Sequence, residues 1–187
     1  MPIETYHHPA LTVDVVLFSL GQKEPELLLI QRGRKPFKGS WAFPGGFVDV
    51  GEPPRDAAVR ELWEEAGIRD VPVEQLRAFG DPERDPRGHT VTIAYLAWLT
   101  SGRSPAMEAG SDAARARWWP VRDLPRLAFD HAEILSCALV ALCSELSCVP
   151  PELETREEPL PELSASARHA TCRALLEVLE DTRGRQA

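Results

Sequence analysis

The segment RELWEEAGI, residues 60–68, places three carboxylates, Glu61, Glu64 and Glu65, within five consecutive positions of a predicted helix. Side chains three and four positions apart lie on the same helix face, so these like charges repel one another. Either the face is solvated, or a cation that the chain does not itself contain neutralises it. Mg²⁺ is commonly held by carboxylate oxygens together with water and substrate phosphates. The segment alone leaves both interpretations open.

The helix that carries these carboxylates is predicted to run from Pro53 to Ala66. Proline suits a first helical turn, and Gly67 suits the position just after the last turn. Four residues recur at helical spacing and are expected to form the buried stripe of this helix: Val59, Leu62, Trp63 and Ala66.

The wider segment GFVDVGEPPRDAAVRELWEEAGI, residues 46–68, resembles the Nudix box. This loop–helix–loop signature belongs to hydrolases that act on nucleoside diphosphates linked to another moiety. All seven fixed identities are present (one Arg, four Glu and two Gly), and Leu62 and Ile68 fill the two aliphatic positions. The resemblance implies an α/β protein with the Nudix fold, an α/β/α sandwich with a mixed sheet, over roughly residues 10–148.

By the same resemblance, three carboxylates would hold Mg²⁺ or Mn²⁺ against the pyrophosphate of the substrate: Glu61, Glu64 and Glu65. Arg60 would pair with Glu52 or Glu61 and so fix the loop of the box. A backbone carbonyl near Gly45 or Gly46 would add a metal ligand, and these glycines would let the main chain approach the site where a side chain would obstruct it.

A diphosphate repels an attacking hydroxide and departs as an anion, so divalent ions are suited to the chemistry that the box implies. They polarise phosphoryl oxygens, generate a nucleophile from bound water and neutralise the leaving group. The chain has a net charge of −8 at pH 7, so the substrate would be admitted only through such cations. The same charge argues against a nucleic acid partner.

The remaining elements are predicted from alternating apolar runs, turn clusters and capping residues. Asp130 is expected to cap the second helix, with Glu133 completing a capping box. Residues 149–163 are rich in Pro and Glu and resemble a linker. The predicted domains are therefore a catalytic domain, 1–148, and a tail of linker and helix, 149–187. The predicted strands are 11–20, 26–33, 73–81, 90–99 and 115–121, and the further helices are 129–146 and 164–184.

Substrate choice is expected to depend on the segment GDPERDPRGHTVTIAYLA, residues 80–97. Arg84 and Arg87 suit phosphate and ribose oxygens, although acidic neighbours would also account for them as a charged hairpin loop. This segment, Tyr95 and the later LAFDH resemble ADP-ribose pyrophosphatases. That resemblance implies a substrate site formed by Arg84, Arg87, Tyr95, Gly45 and Gly46, and hydrolysis of ADP-ribose to AMP and ribose 5-phosphate.

Two other functional classes remain open. One is an ADP-ribose-sensing transcriptional regulator of the Nudix type, although residues 149–187 carry eight acids and five arginines, a poor charge balance for DNA. The other is a Nudix hydrolase that prefers nucleoside triphosphates or dinucleoside polyphosphates. The tail helix would cover the core or form a homodimer. Four cysteines without a C-x-x-C pair, and no predicted signal peptide or membrane span, favour a cytoplasmic location.

Overall fold

The computed structural model describes residues 8–20, 24–100, 116–147 and 171–178. A short 3-10 turn covers Val121–Asp123, and residues 171–178 are helical. The strands are β1 (Ala10–Ser19), β2 (Glu26–Gln31), β3 (Trp41–Ala42), β4 (Gly45–Phe47), β5 (Glu74–Phe79), β6 (Thr90–Leu99) and β7 (Ala116–Pro120), and the helices are α1 (Pro54–Ala66) and α2 (His131–Ser147).

The strands form one mixed sheet of seven strands with the central order β3-β2-β1-β6-β5. β1 and β6 are parallel along their whole length, whereas β2 and β4 are antiparallel to β1 and β5 is antiparallel to β6. β2 pairs with the C-terminal end of β1 and β4 with its N-terminal part, so both occupy the same side of that strand. The strands predicted from the apolar runs are all present, with ends that differ by one or two residues.

The two faces of the sheet are covered by different helices. Successive side chains of a strand point to opposite faces. Val13, Val15 and Leu17 of β1 therefore pack with the α1 residues, whereas Val16 and Phe18 pack with those of α2. The architecture is an α/β/α sandwich around a mixed sheet, and the predicted fold is confirmed.

Helix α1 is packed against the sheet mainly by small residues, which differs from the predicted stripe. Its buried side chains are Ala57, Ala58, Leu62 and Ala66. Val59 is 40% exposed, so its inclusion in the stripe was wrong. Trp63 is only partly buried, and the guanidinium of Arg69 lies 3.3 Å from its ring centroid. The predicted C-terminal signal is confirmed, because Gly67 adopts a φ of 68° and its N–H donates to the carbonyl of Trp63.

Residues 171–178 pack into the core beside α2. Leu175 is fully buried there, and Cys172 and Val178 belong to the same apolar cluster. Arg122 reinforces the contact through a 2.6 Å ion pair with Glu177. These eight residues agree with the predicted tail helix and with its role of covering the core. The linker 149–163 lies outside the described residues, and the boundary at residue 148 stays a prediction.

The described cysteines, Cys137, Cys143 and Cys172, are free thiols. Burial raises the pKa of Cys143 to about 11, so this thiol is protonated at neutral pH. Among the helices that the structure describes, none is both long and apolar enough to cross a membrane.

Candidate active site

Arg60 lies at the centre of the box and joins its loop to its helix. Its Nε and Nη2 donate to the two carboxylate oxygens of Glu52 at 2.8 and 2.9 Å, a bidentate pair. Nη1 donates to Glu61 at 2.7 Å and lies 3.3 Å from Glu64. Nη2 also donates to the carbonyl oxygen of Phe47 at 3.2 Å, at the end of β4. The guanidinium thus contacts both of the carboxylates that the sequence suggested as its partners.

The same contacts set the charge of the two carboxylates. The hydrogen bond from Arg60 lowers the pKa of Glu52 to about 2, and the amide of Asp49 acts in the same direction. The pKa of Glu61 is raised, because burial of this carboxyl outweighs the opposing effect of Arg60. Arg60 therefore favours the ionised form of Glu61 against the effect of burial, whereas Glu52 is ionised over the whole physiological range.

Glu64 and Glu65 lie on the same helix but make different contacts. The side chain of Glu64 is 54% exposed, so it is open to solvent apart from its contact with Arg60. Glu65 turns toward β4, where its Oε2 accepts a 2.9 Å hydrogen bond from the amide of Gly45. Any Cβ at Gly46 would collide with the Glu61 carboxylate. The glycine pair therefore lets the backbone of β4 contact two of the three predicted metal ligands.

In the described ranges, no three side chains of His, Cys, Asp or Glu form a ready-made metal cage. The guanidinium of Arg60 contacts one oxygen each of Glu61 and Glu64, at 2.7 and 3.3 Å. The donor chemistry still fits Mg²⁺, which needs only one or two protein carboxylates when water and phosphate oxygens complete its shell. Glu61 and Glu65, both in contact with the glycine pair, and the exposed Glu64 supply such oxygens.

A cleft of about 440 Å³ opens beside these carboxylates. It lies between the ends of β2 and β4, the loop after β2, the loop 81–87 and the start of α2. This volume is within the usual range for a small-molecule site, roughly 300–1,000 Å³. Of the predicted site residues, the cleft is lined by Gly45, Gly46, Glu65, Arg84 and Arg87. Glu52, Arg60, Glu61 and Glu64 are not among its lining residues.

Arg84 lines the cleft but is committed to a structural contact. Its Nε and Nη2 donate to the carboxylate of Asp130 at 2.7 and 2.6 Å, and its side chain is only 5% exposed. The side-chain cap predicted for α2 is therefore wrong, because the Asp130 carboxylate accepts from Arg84. The carbonyl oxygen of Asp130 instead accepts from the amides of Glu133 and Ile134.

Arg87 is the more accessible of the two loop arginines, with 44% of its side chain exposed. Its guanidinium pairs with Asp85 at 2.6 Å, and this carboxyl has a lowered pKa because the hydrogen bonds from Arg87 exceed the opposing effect of burial. The guanidinium also lies 5.4 Å from the ring centroid of Phe47 and 5.8 Å from that of Phe129. The hairpin interpretation is thus correct for the Arg87–Asp85 pair, and Arg87 still faces the cleft.

Two polar residues that line the cleft, Asp14 and His131, were not among the predicted site residues. Asp14 is a buried carboxylate that accepts a 2.7 Å hydrogen bond from Thr92, and its Oδ1 lies 3.4 Å from Nε2 of His131. Nδ1 of His131 accepts from the amide of Phe43 at 3.1 Å, and the two rings stack. His131 is held neutral, since burial lowers its pKa. A single acidic residue within the apolar strand TVDVVLF was the signal for Asp14.

Tyr95 is not brought to the cleft, contrary to its predicted role in substrate binding. Tyr95 lies in β6, where it pairs with Val15 of β1. It is 4% exposed and belongs to the apolar cluster beneath α1. Burial raises the pKa of its hydroxyl. Because the side chains of a strand alternate between faces, Tyr95 points to the α1 layer, whereas the neighbouring positions face α2.

The NUDIX domain family matches residues 8–136, which is more than half of the chain. This chain belongs to the Nudix family. The predicted family and the predicted Nudix pyrophosphohydrolase class agree with this match and with the α/β/α sandwich that carries the box.

Three relatives extend the comparison of this Nudix protein. An ADP-ribose pyrophosphatase of Methanocaldococcus jannaschii is 41% identical over 130 residues, covering 70% of this chain and 73% of that protein. The ADPR-responsive transcriptional repressor NtrR of Acinetobacter baylyi is 36% identical over 141 residues, 73% of this chain and 56% of the repressor. The NUDIX domain of Shewanella oneidensis NrtR, solved with ADP ribose, has a TM-score of 0.67 at 33% identity over 76% of this chain and 94% of that one.

Replacing Arg84 in this Nudix protein tests whether the residue is structural. Arg84→Ala leaves the carboxylate of Asp130 without its partner, and breaking a buried pair typically costs about 3–5 kcal/mol. Chemical denaturation should therefore show a large loss of unfolding free energy. Arg34→Ala is the matched control, because it removes an exposed arginine that lines the same cleft and forms no ion pair among the described residues. Equal stability of Arg84→Ala and wild type would contradict the bracing role.

Proposed function

We propose that this Nudix protein is a metal-dependent pyrophosphohydrolase that splits ADP-ribose into AMP and ribose 5-phosphate. The observation that carries the proposal is the assembled box beside the cleft. Arg60 braces Glu52 and Glu61, while Glu65 and the glycine pair border the space where a diphosphate would lie. The 41% identity to an ADP-ribose pyrophosphatase supports the choice of substrate.

The proposed metal ligands are Glu61, Glu64 and Glu65, which would hold Mg²⁺ or Mn²⁺. When bound, such an ion polarises phosphoryl oxygens and lowers the pKa of water, which supplies the nucleophile. Arg60 and Glu52 are proposed to support the site without contacting the substrate, because their side chains are turned toward each other. Arg60 keeps Glu61 ionised, and Glu52 keeps Arg60 in place through two hydrogen bonds.

The glycine pair is proposed to contribute backbone to the site. The amide of Gly45 donates to the Glu65 carboxylate, so β4 helps to orient that carboxylate. The main chain at Gly46 lies against Glu61 without any side chain between them. This arrangement brings the backbone close to where the metal and phosphates would bind, as the resemblance to the box implied.

Arg87 is proposed to bind the substrate, and Arg84 to position the loop that carries it. The guanidinium of Arg87 is exposed at the cleft and can reach a phosphate or ribose oxygen. Arg84 is occupied by Asp130 and lies 3.9 Å from Asp14. We therefore propose the substrate contact for Arg87 alone, although the sequence predicted it for both arginines.

Arg87→Ala should lower kcat/KM for ADP-ribose by about ten- to a hundredfold, because a charge-assisted hydrogen bond is worth roughly 1.5–3 kcal/mol. Steady-state kinetics with ADP-ribose and with a nucleoside triphosphate would measure the change. A loss on both substrates would indicate general phosphate binding by Arg87. If activity on ADP-ribose stays within about twofold, a change of a few tenths of a kcal/mol, Arg87 does not bind the substrate.

Product analysis tests the proposed reaction. Purified protein, Mg²⁺ and ADP-ribose should yield AMP and ribose 5-phosphate in equal amounts, and EDTA should stop the reaction. A panel with nucleoside triphosphates and dinucleoside polyphosphates separates this activity from the other hydrolase specificities. Faster turnover of either class than of ADP-ribose would contradict the proposed substrate.

An ADP-ribose-responsive regulator is the second candidate, favoured by the 36% identity to the repressor of Acinetobacter baylyi. The charge of residues 149–187, eight acids against five arginines, argues against DNA binding by this segment. A gel-shift assay with DNA from the region upstream of the protein's own gene, with and without ADP-ribose, distinguishes the two.

The described free thiols suit a reducing compartment, which favours the cytoplasm.

A further inference from the structure

The loop that follows β2 concentrates positive charge in an acidic protein. Residues 32–38, RGRKPFK, contain four cations, including two of the three lysines of the chain. No acidic residue occurs from position 27 to position 48, although the chain carries 29 acids in total. Within the part of the chain that the structure describes, Arg34, Lys35 and Lys38 form no ion pair, and all three are exposed.

These cations border a second depression that continues the cleft. It has a volume of about 580 Å³ and is lined by Lys35, Pro36, Phe37, Lys38, Pro86 and Arg87. Lys35 and Arg87 also line the cleft, so the two spaces meet at these side chains. The cleft alone is large enough for a nucleoside diphosphate sugar. The depression is therefore additional room at one end of the proposed substrate site.

The loop is held in one shape by its own hydrogen bonds. The amide of Gly39 donates to the carbonyl of Arg32 at 2.8 Å, and the Arg32 side chain donates to the carbonyl of Pro36 at 3.0 Å. Phe37 has a φ of 58°, which is uncommon for a residue with a side chain, and its ring meets that of Phe129 edge-on at 4.8 Å. Strained residues of this kind concentrate at ligand-binding sites.

We propose that this depression is a subsite for an additional phosphate monoester carried by the substrate, bound by Lys35, Lys38 and Arg87 beside the ring of Phe37. The preferred ligands are then nucleoside diphosphate derivatives with a third phosphate on one of their ribose groups. This inference rests on the proposed function only for the position of the diphosphate in the cleft.

The chemistry of the lining selects a phosphate. Arginine offers a planar fork and lysine a compact charge, and both are common phosphate-binding groups. The residues that line the depression include no acid, and the Asp85 carboxylate beside Arg87 is buried. The half-exposed ring of Phe37 provides an apolar wall for the sugar that would carry the phosphate. A neutral terminal ribose would leave Lys35 and Lys38 without an ionic partner among the described residues.

Calorimetric binding with Ca²⁺ in place of Mg²⁺, a divalent ion that carboxylates also bind, tests the proposal with three probes: ADP-ribose, ADP-ribose 2′-phosphate and ADP-ribose 1″-phosphate. One of the phosphorylated probes should bind about tenfold more tightly than ADP-ribose, the effect of one hydrogen bond to a charged group. Lys38→Gln should reduce this ratio, because Lys38 lines the depression and not the cleft. Arg117→Gln is the matched control, since it removes one exposed charge outside both spaces and should leave the ratio unchanged.

The outcome separates this inference from the proposed function. If neither phosphorylated probe binds more tightly than ADP-ribose, or if Lys38→Gln and Arg117→Gln change the ratio equally, the subsite does not exist. Product analysis with Mg²⁺ is independent of this result. If the protein hydrolyses ADP-ribose but binds the phosphorylated probes no more tightly than ADP-ribose, the proposed function stands and the subsite does not. A tenfold ratio without hydrolysis retains the subsite and contradicts the proposed reaction.

Discussion

Glu64→Gln and Glu65→Gln should each reduce ADP-ribose turnover by about a hundred- to a thousandfold while leaving the fold intact. Each change removes one negative oxygen from the proposed metal site, and a bound divalent ion contributes several kcal/mol to stabilisation of the transition state. Glu64 is the cleaner test of the two, because its side chain is half exposed and makes only one long contact with Arg60. Its loss should not disturb the packing of α1.

Glu65→Gln probes the ligand that faces β4. The amide oxygen of glutamine can still accept the hydrogen bond from Gly45, so the contact between α1 and β4 is preserved. Both variants also relieve repulsion between like charges on the helix, so their melting temperatures should equal or slightly exceed that of the metal-free wild type. Loss of activity would then be separated from loss of fold.

Initial rates over a Mg²⁺ titration and a thermal melt of each variant measure these effects. Asp56→Asn is the control, because it removes one carboxylate charge from the first turn of the same helix, at a residue that is not one of the predicted metal ligands. It should retain nearly full activity. If both glutamine variants turn over ADP-ribose at the wild-type rate in saturating Mg²⁺, the proposed metal site is wrong.

Arg60→Ala should weaken Mg²⁺ binding by about ten- to a hundredfold, the usual effect of losing a residue that supports metal ligands. Without the guanidinium, the partly buried Glu61 loses its counter-charge, and its already raised pKa should rise further. Protons would then compete with Mg²⁺ for this carboxylate, so the acid limb of the activity profile should move to higher pH. Arg60→Lys should rescue only partly, because an ammonium cannot reproduce the bidentate contact with Glu52.

The stability of the Arg60 variant should depend on pH with a defined sign. The pKa of Glu52 falls from its ordinary 4.5 to about 2 in the folded protein. The Glu52–Arg60 contact therefore contributes fully above pH 4.5 and is lost as the pH falls toward 2. The difference in unfolding free energy between wild type and Arg60→Ala should shrink over that interval. Arg55→Ala, an exposed arginine on the same helix, is the control, and identical pH profiles for both variants would exclude the bracing role.

Local patterns predicted the parts of the site that are close in the chain. The box fixed both the partners of Arg60 and the end of α1 at Gly67, because loop, helix and cap lie within a few residues of one another. The helical period predicted less well which side chains of α1 are buried. Ala58 and Val59 are adjacent in the chain and lie about 100° apart around the helix, and of the two only Ala58 is buried.

Contacts between distant segments could not be predicted in this way. Asp130 is a plausible helix cap by its local sequence, yet its carboxylate binds Arg84, which lies 46 positions away. Asp14 is surrounded in the sequence by apolar residues, and only the packing of β1 beside β6 reveals its contact with Thr92. Tyr95 was assigned to the cleft, but the orientation of β6 in the sheet turns its ring to the other face.

The parallel pairing of β1 with β6 has a consequence for how the protein acquires its shape. Asp14 and Thr92 are 78 positions apart in the chain. The chain between the two strands contains the whole box and most of the residues that line the cleft. Closing so long a loop costs entropy before its contacts stabilise the structure, so proteins rich in such pairings fold slowly. On the ribosome, β1 must wait until β6 has been synthesised. Substitutions in β1 or β6 should therefore lower the yield of soluble protein more than their effect on equilibrium stability would suggest.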